Sequence, residues 1–134
     1  MFISSNFTNE KIYCRAVVNK ILTTWSENKS LKISQRDCVI VEPDEKIYKL
    51  WNTNLVSENL ETREVKINIT GNDVIMTQTT KNRLNAFLAY YGFDRLKVHN
   101  SQKEFCVKYH DKALKVSSDS WYKLDFDTKE LIKC

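Results

Sequence analysis

The spacing of apolar residues changes period several times along this chain, and each change marks an element. The clearest segment is Thr77 to Gly92, TQTTKNRLNAFLAYYG. Leu84, Phe87, Leu88 and Tyr91 stand at i, i+3, i+4 and i+7, which lines one face of an α-helix. Lys81, Asn82, Asn85 and Ala89 fall largely away from that stripe. The spacing predicts a helix from about Thr80 to Tyr91. Thr79 or Thr80 is the expected N-cap, since a threonine hydroxyl accepts from the orphan N–H groups of a first turn. Gly92 is the expected left-handed closing residue, with Phe93 packing back on the last turn.

An earlier helical pattern covers residues 8–27. Ile12, Val17, Ile21 and Trp25 recur at helical spacing, and Val18 and Leu22 widen the stripe. Thr8 is the expected N-cap and Asn28-Lys29-Ser30 the end. Between and after the helices the period falls to two. Strands are predicted from about Arg36 to Glu42, through Ile47 to Trp51, at Leu55-Val56, over 63–69 and at 74–76, with turns at Pro43-Asp44 and Gly71-Asn72-Asp73. Short strands follow at 96–98, 104–109 and 113–116, and a last one alternates through SWYKLDFD. The order is helix, strands, helix, strands, with no linker and no visible internal repeat. It predicts one α+β domain over 1–134: a twisted antiparallel sheet with one or two helices on a face. The expected core includes Val17, Ile21, Val39, Val41, Val65, Ile67, Leu84, Phe87, Leu88, Val107 and Leu124.

Three stretches, WNTNLV (51–56), VKINITGNDVIMTQ (65–78) and TTKNRLNAFL (79–88), resemble small phage proteins of unassigned function. There a strand with an aromatic-Asn-Thr step precedes a strand pair and a Thr-Thr helix start. Relatives often carry His before Asn where this chain has Leu84 before Asn85. The resemblance covers the middle third and implies a phage accessory protein. It carries no catalytic residues to transfer.

Composition narrows the chemistry. Two glycines and one proline in 134 residues leave no room for a glycine-rich phosphate loop. A net charge of +4 excludes a strongly acidic nucleic-acid mimic. No apolar run reaches the length of a membrane span, and the start lacks a secretory pattern, so the expectation is a protein of the host cytosol with reduced cysteines.

Candidate site residues fall into three groups. His99, Cys106 and His110 are the nearest approach to a metal cluster, but their spacing fits no zinc pattern; the expectation is no metal and no cofactor. Lys81, Arg83, Arg95, Lys97, Lys103 and Lys108 make the second half basic, as a surface for RNA or DNA or a small ribonuclease site would be. Trp51, Tyr90, Trp121 and Tyr122 are aromatic anchors of the kind that dominate protein interfaces. No ordered set of acid, base and nucleophile is present. The leading expectation is stoichiometric binding to a host protein or complex, plausible for an inhibitor of a defence or regulatory assembly, with nucleic-acid binding as the alternative.

Overall fold

The computed structural model describes residues 12–69, 78–93, 97–101, 104–109, 112–115 and 121–134, with side chains described for 15–69, 79–93 and 121–134. Among them are two α-helices and ten antiparallel strands, an α+β fold. Seven strands form one sheet in the order β1-β2-β3-β4-β5-β9-β10, and β6-β7-β8 form a second. The chain divides into two compact units, Met1–Val65 and Lys66–Cys134.

The first unit opens with α1 (Ile12–Ser26). Val18, Ile21, Leu22 and Trp25 are fully buried, each contributing on the order of 2 kcal/mol of apolar burial. Val17, expected in the core, is half-buried. The helix ends on Asn28, held left-handed at φ 55°. Asn28 N–H donates to Trp25 C=O and Lys29 N–H to Thr24 C=O, each at 3.2 Å, the paired bonds of a Schellman cap. The helix packs against β2.

The strands β1 (Leu31–Lys32), β2 (Asp37–Val41), β3 (Glu45–Leu50) and β4 (Thr53–Asn59) then meander. Alternation holds in β3, where Lys46, Tyr48 and Leu50 point inward. It breaks in β4, where Leu55 and Val56 are both buried. The register shifts between Tyr48 and Lys49, whose partners are Val56 and Asn54. Leu55 is the extra residue of a β-bulge, so two neighbours face the core. Val39 is buried as expected, while Val41 is half-buried.

Strand β5 (Val65–Asn68) crosses into the second unit. Helix α2 (Gln78–Tyr90) follows, then β6 (Lys97–Ser101), β7 (Glu104–Tyr109), β8 (Lys112–Lys115), β9 (Trp121–Asp125) and β10 (Glu130–Lys133). Because α2 begins at Gln78, Thr79 and Thr80 lie inside its first turn and are not its N-cap. The C-terminal expectation holds. Gly92 sits at φ 81°, its N–H donates to Ala89 C=O at 3.1 Å, and Phe93 N–H donates to Leu88 C=O at 2.7 Å. Leu84, Phe87 and Leu88 are buried, as are Ile67 of β5 and Leu124 of β9. Val107 lies in β7, where side chains are outside the described set, as do the expected cap Thr8, the turn at 71–73 and the strand at 74–76.

Candidate functional site

The first unit carries an open cleft of about 230 Å³ where two turns meet. One is Ser34-Gln35-Arg36, between β1 and β2. Its shape comes from Ser34, whose hydroxyl oxygen accepts from the backbone N–H groups of Arg36 at 3.2 Å and Asp37 at 3.1 Å. The same hydroxyl donates to the Asp37 carboxylate at 2.6 Å. Asp37 is itself buried, and the Tyr48 hydroxyl donates to its other oxygen. This carboxylate is therefore a structural post with its charge spent inward.

The second turn is Trp51-Asn52, which joins β3 to β4. Trp51 N–H donates to Arg36 C=O at 2.7 Å and ties the two turns together. Trp51 occupies the left-handed region at φ 54°, a place that glycine usually fills in a two-residue turn. A non-glycine residue there costs about 1–2 kcal/mol. Its indole is 63% exposed, the most exposed of the large hydrophobic residues described. Lys32, Gln35, Arg36 and Asn52 line the cleft with it, as does the half-buried Cys38. Among the described residues neither Lys32 nor Arg36 has an ion pair. The cleft thus offers one flat aromatic face, two uncompensated cations and two amides.

A second polar group lies within the same unit. Lys46 is 3% exposed, and its ammonium donates to Trp25 C=O and to the Asn28 side-chain oxygen, both at 2.8 Å. It also lies 4.8 Å from the Trp25 ring centre. Lys46 and Glu58 are direct cross-strand partners, and Arg63 reaches Glu58 at 3.3 Å. Burial lowers the Lys46 pKa from its ordinary value, Glu58 pulls it back up, and Arg63 pushes it down again. The ammonium is fixed by helix-end acceptors, which suits a cation at a helix C-terminus. It is a latch between β3 and α1, with no free lone pair to serve as a nucleophile.

The expected site residues scatter. Trp51 is the exposed anchor. Tyr90 is half-buried, edge-on to Tyr91 at 4.9 Å between ring centres. Trp121 is half-buried on β9, and Tyr122 is only 3% exposed, so its ring belongs to the core and presents no docking surface. Lys81 is half-buried on α2, but Arg83, at 3% exposed, is a buried residue with interactions of its own and offers no charge to a phosphate. Lys97 and Lys108 are direct cross-strand partners in β6 and β7. Arg95 and Lys103 fall outside the described residues, as does His110. His99 and Cys106 pair across β6 and β7. Among the described residues no three metal-ligating side chains cluster.

The sequence reading missed the Arg36–Trp51 meeting and the buried Lys46–Glu58 pair. For the pair a signal existed, because Lys46 shares strand parity with Tyr48 and Leu50. No family model, no curated protein and no solved structure matches this chain. Among the described residues no helix is long and apolar enough to cross a membrane.

Proposed function

We propose that this protein acts by stoichiometric binding, as a phage-type accessory protein that covers an acidic patch on a host protein and so inhibits a defence or regulatory complex. The observation that carries the reading is Trp51, 63% exposed and held at φ 54°. An indole in water gains nothing for the fold, and the left-handed backbone costs stability. Strain of this kind collects where a side chain must be presented. Trp and Arg are the residues that dominate interface energetics, typically about 2 kcal/mol or more each when buried by a partner. Lys32 and Arg36 beside the indole favour a carboxylate-bearing surface over a basic one.

A second reading has its own observation. Lys66 faces Lys123 across β5 and β9, and Lys97 faces Lys108 across β6 and β7. The register sets lysines on neighbouring strands in each pair, a placement that suits contacts to successive phosphates. RNA or DNA binding is the partner class this would serve.

Capture from host lysate distinguishes the two. The protein reading expects one dominant partner whose recovery survives nuclease and is lost in Trp51→Ser. Recovery that disappears with nuclease, or a steep salt dependence with purified nucleic acid, gives the second reading. Degradation of RNA by the pure protein, stopped by His99→Ala, removes both.

A further inference from the structure

Among the described residues the two halves of the chain have the same element order: a helix, four strands, a short loop and a fifth strand. The correspondence goes down to residues. In β2 and β3, Cys38 pairs with Lys49 and Val39 with Tyr48. In β7 and β8, Cys106 pairs with Lys115 and Val107 with Leu114. The strand segment EKIYKL (45–50) is matched by DKALKV (111–116), with both lysines kept.

The last hairpin of each half repeats more closely. NLETRE (59–64) answers to DFDTKE (125–130). In the first, the Asn59 side-chain oxygen accepts from the N–H groups of Glu61 and Thr62, each at 2.9 Å, and Arg63 N–H donates to Asn59 C=O at 2.7 Å with Arg63 at φ 65°. In the second, the Asp125 carboxylate accepts from Asp127 at 3.0 Å and Thr128 at 3.2 Å, and Lys129 N–H donates to Asp125 C=O at 2.8 Å with Lys129 at φ 60°. Both helices also end in the same paired cap, on Asn28 and on Gly92. One shared hairpin type is common, but shared register, loop chemistry and helix cap in the same order are not independent accidents.

We infer that the chain is a tandem duplication of one module, a helix followed by five strands, and that Trp51, which the second copy lacks, determines the specificity of the first. Its functional half rests on the reading of Trp51 given above. The position after the matched strand is Trp51 in one copy and Ser117 in the other. What both copies keep serves the scaffold, so a costly tryptophan present in one alone is dispensable to it. Binding resides in the first module, and the second supplies the same scaffold without the anchor.

Two measurements on the full chain test this. Cross-strand nuclear Overhauser contacts should place Cys106 opposite Lys115 and Val107 opposite Leu114; a register displaced by one residue overturns the duplication. Titration with the purified protein captured from lysate should show Trp51→Ser weakening binding at least tenfold and Ser117→Ala changing it less than twofold. Comparable losses from both overturn the assignment to the first module. Undiminished binding by Trp51→Ser overturns the anchor reading, while the contacts still decide the duplication.

Discussion

The ammonium of Lys46 donates to the side-chain oxygen of Asn28 at 2.8 Å, joining the middle strand of the first unit to the end of its helix. Removing that ammonium takes away the cross-strand cation beside the buried Glu58, whose ion pair is to Arg63, a side chain 65% exposed. Lys46→Met should cost about 1–3 kcal/mol in urea unfolding, because the buried Trp25 and Asn28 acceptors lose their donor. Lys46→Met combined with Glu58→Leu should recover part of the loss, because it replaces both charges and copies the apolar Leu124 of the second hairpin. Strict additivity of the two substitutions would show that the charges do not interact.

Alkaline stability carries two opposed contributions. The Lys46 pKa is lowered in the fold, chiefly by burial, so the unfolded chain holds that proton to higher pH. Stability gains from Lys46 as pH rises through its depressed folded value toward 10.5. The Tyr122 pKa is raised by burial, so the unfolded chain ionises first and stability falls above about pH 10. Tyr122→Phe should flatten that fall in a series of melting curves, and an unchanged slope would remove Tyr122 as its cause.

Acid stability should depend on Asp125. The backbone N–H groups of Thr128 and Asp127 hold its carboxyl below the ordinary aspartate value, so its contribution is present above about pH 3.8 and is lost as pH falls through the folded value. Asn59 does the same work without titrating. Asp125→Asn should keep the turn and give a shallower loss of stability in acid. A profile parallel to the wild type from pH 5 downward would refute this.

The two helix ends should respond differently to exchange. Gly92→Ala places a Cβ 3.6 Å from the Lys129 ammonium, an ordinary contact, so its cost is conformational, about 1 kcal/mol. Asn28→Gly relieves the same backbone strain but removes an acceptor from the buried Lys46, and should destabilise by about 1–3 kcal/mol. If Asn28→Gly stabilises the protein, the Lys46 bond is worth less than the strain it accompanies.

Trp51→Gly separates presentation from folding. Glycine adopts φ 54° without penalty, so the variant should be more stable by up to about 1 kcal/mol and should fail to capture the partner. A variant that is destabilised instead would show that the indole packs in the fold.

The helices and most strands were legible in the residue pattern because burial there is one-sided. Val39, Ile67 and Leu124 keep strict parity and are all buried. The pattern misled where burial wraps further around. Arg83 and Asn85 belong to the polar side of the α2 stripe, yet both are under 5% exposed, because α2 is buried on more than one face. Lys46 is buried because its acceptors, Trp25 C=O and the Asn28 side-chain oxygen, are brought to it from the end of α1, which composition cannot reveal. The cleft was half legible: Trp51 stood out by type, but Arg36 meets it only through a hydrogen bond between two turns. The matched hairpins from which the duplication is inferred share chemistry more than identity. Asn59 answers to Asp125, Leu60 to Phe126 and Arg63 to Lys129, while Thr62 and Glu64 alone recur unchanged in the loop.

Strand pairing in β1 through β4 is between consecutive neighbours, as it is in β6 through β8 and in the β9–β10 hairpin. Such hairpins close in microseconds, since little loop entropy is lost before the first bonds form. The pairing of β5 with β9 is different: Ile67 must find Tyr122 across a helix and three intervening strands. Closures of that sequence separation are slow compared with hairpins. Until it forms, the Lys66–Asn68 edge lacks its β9 partner, and an unpaired strand edge is a surface on which another chain can add.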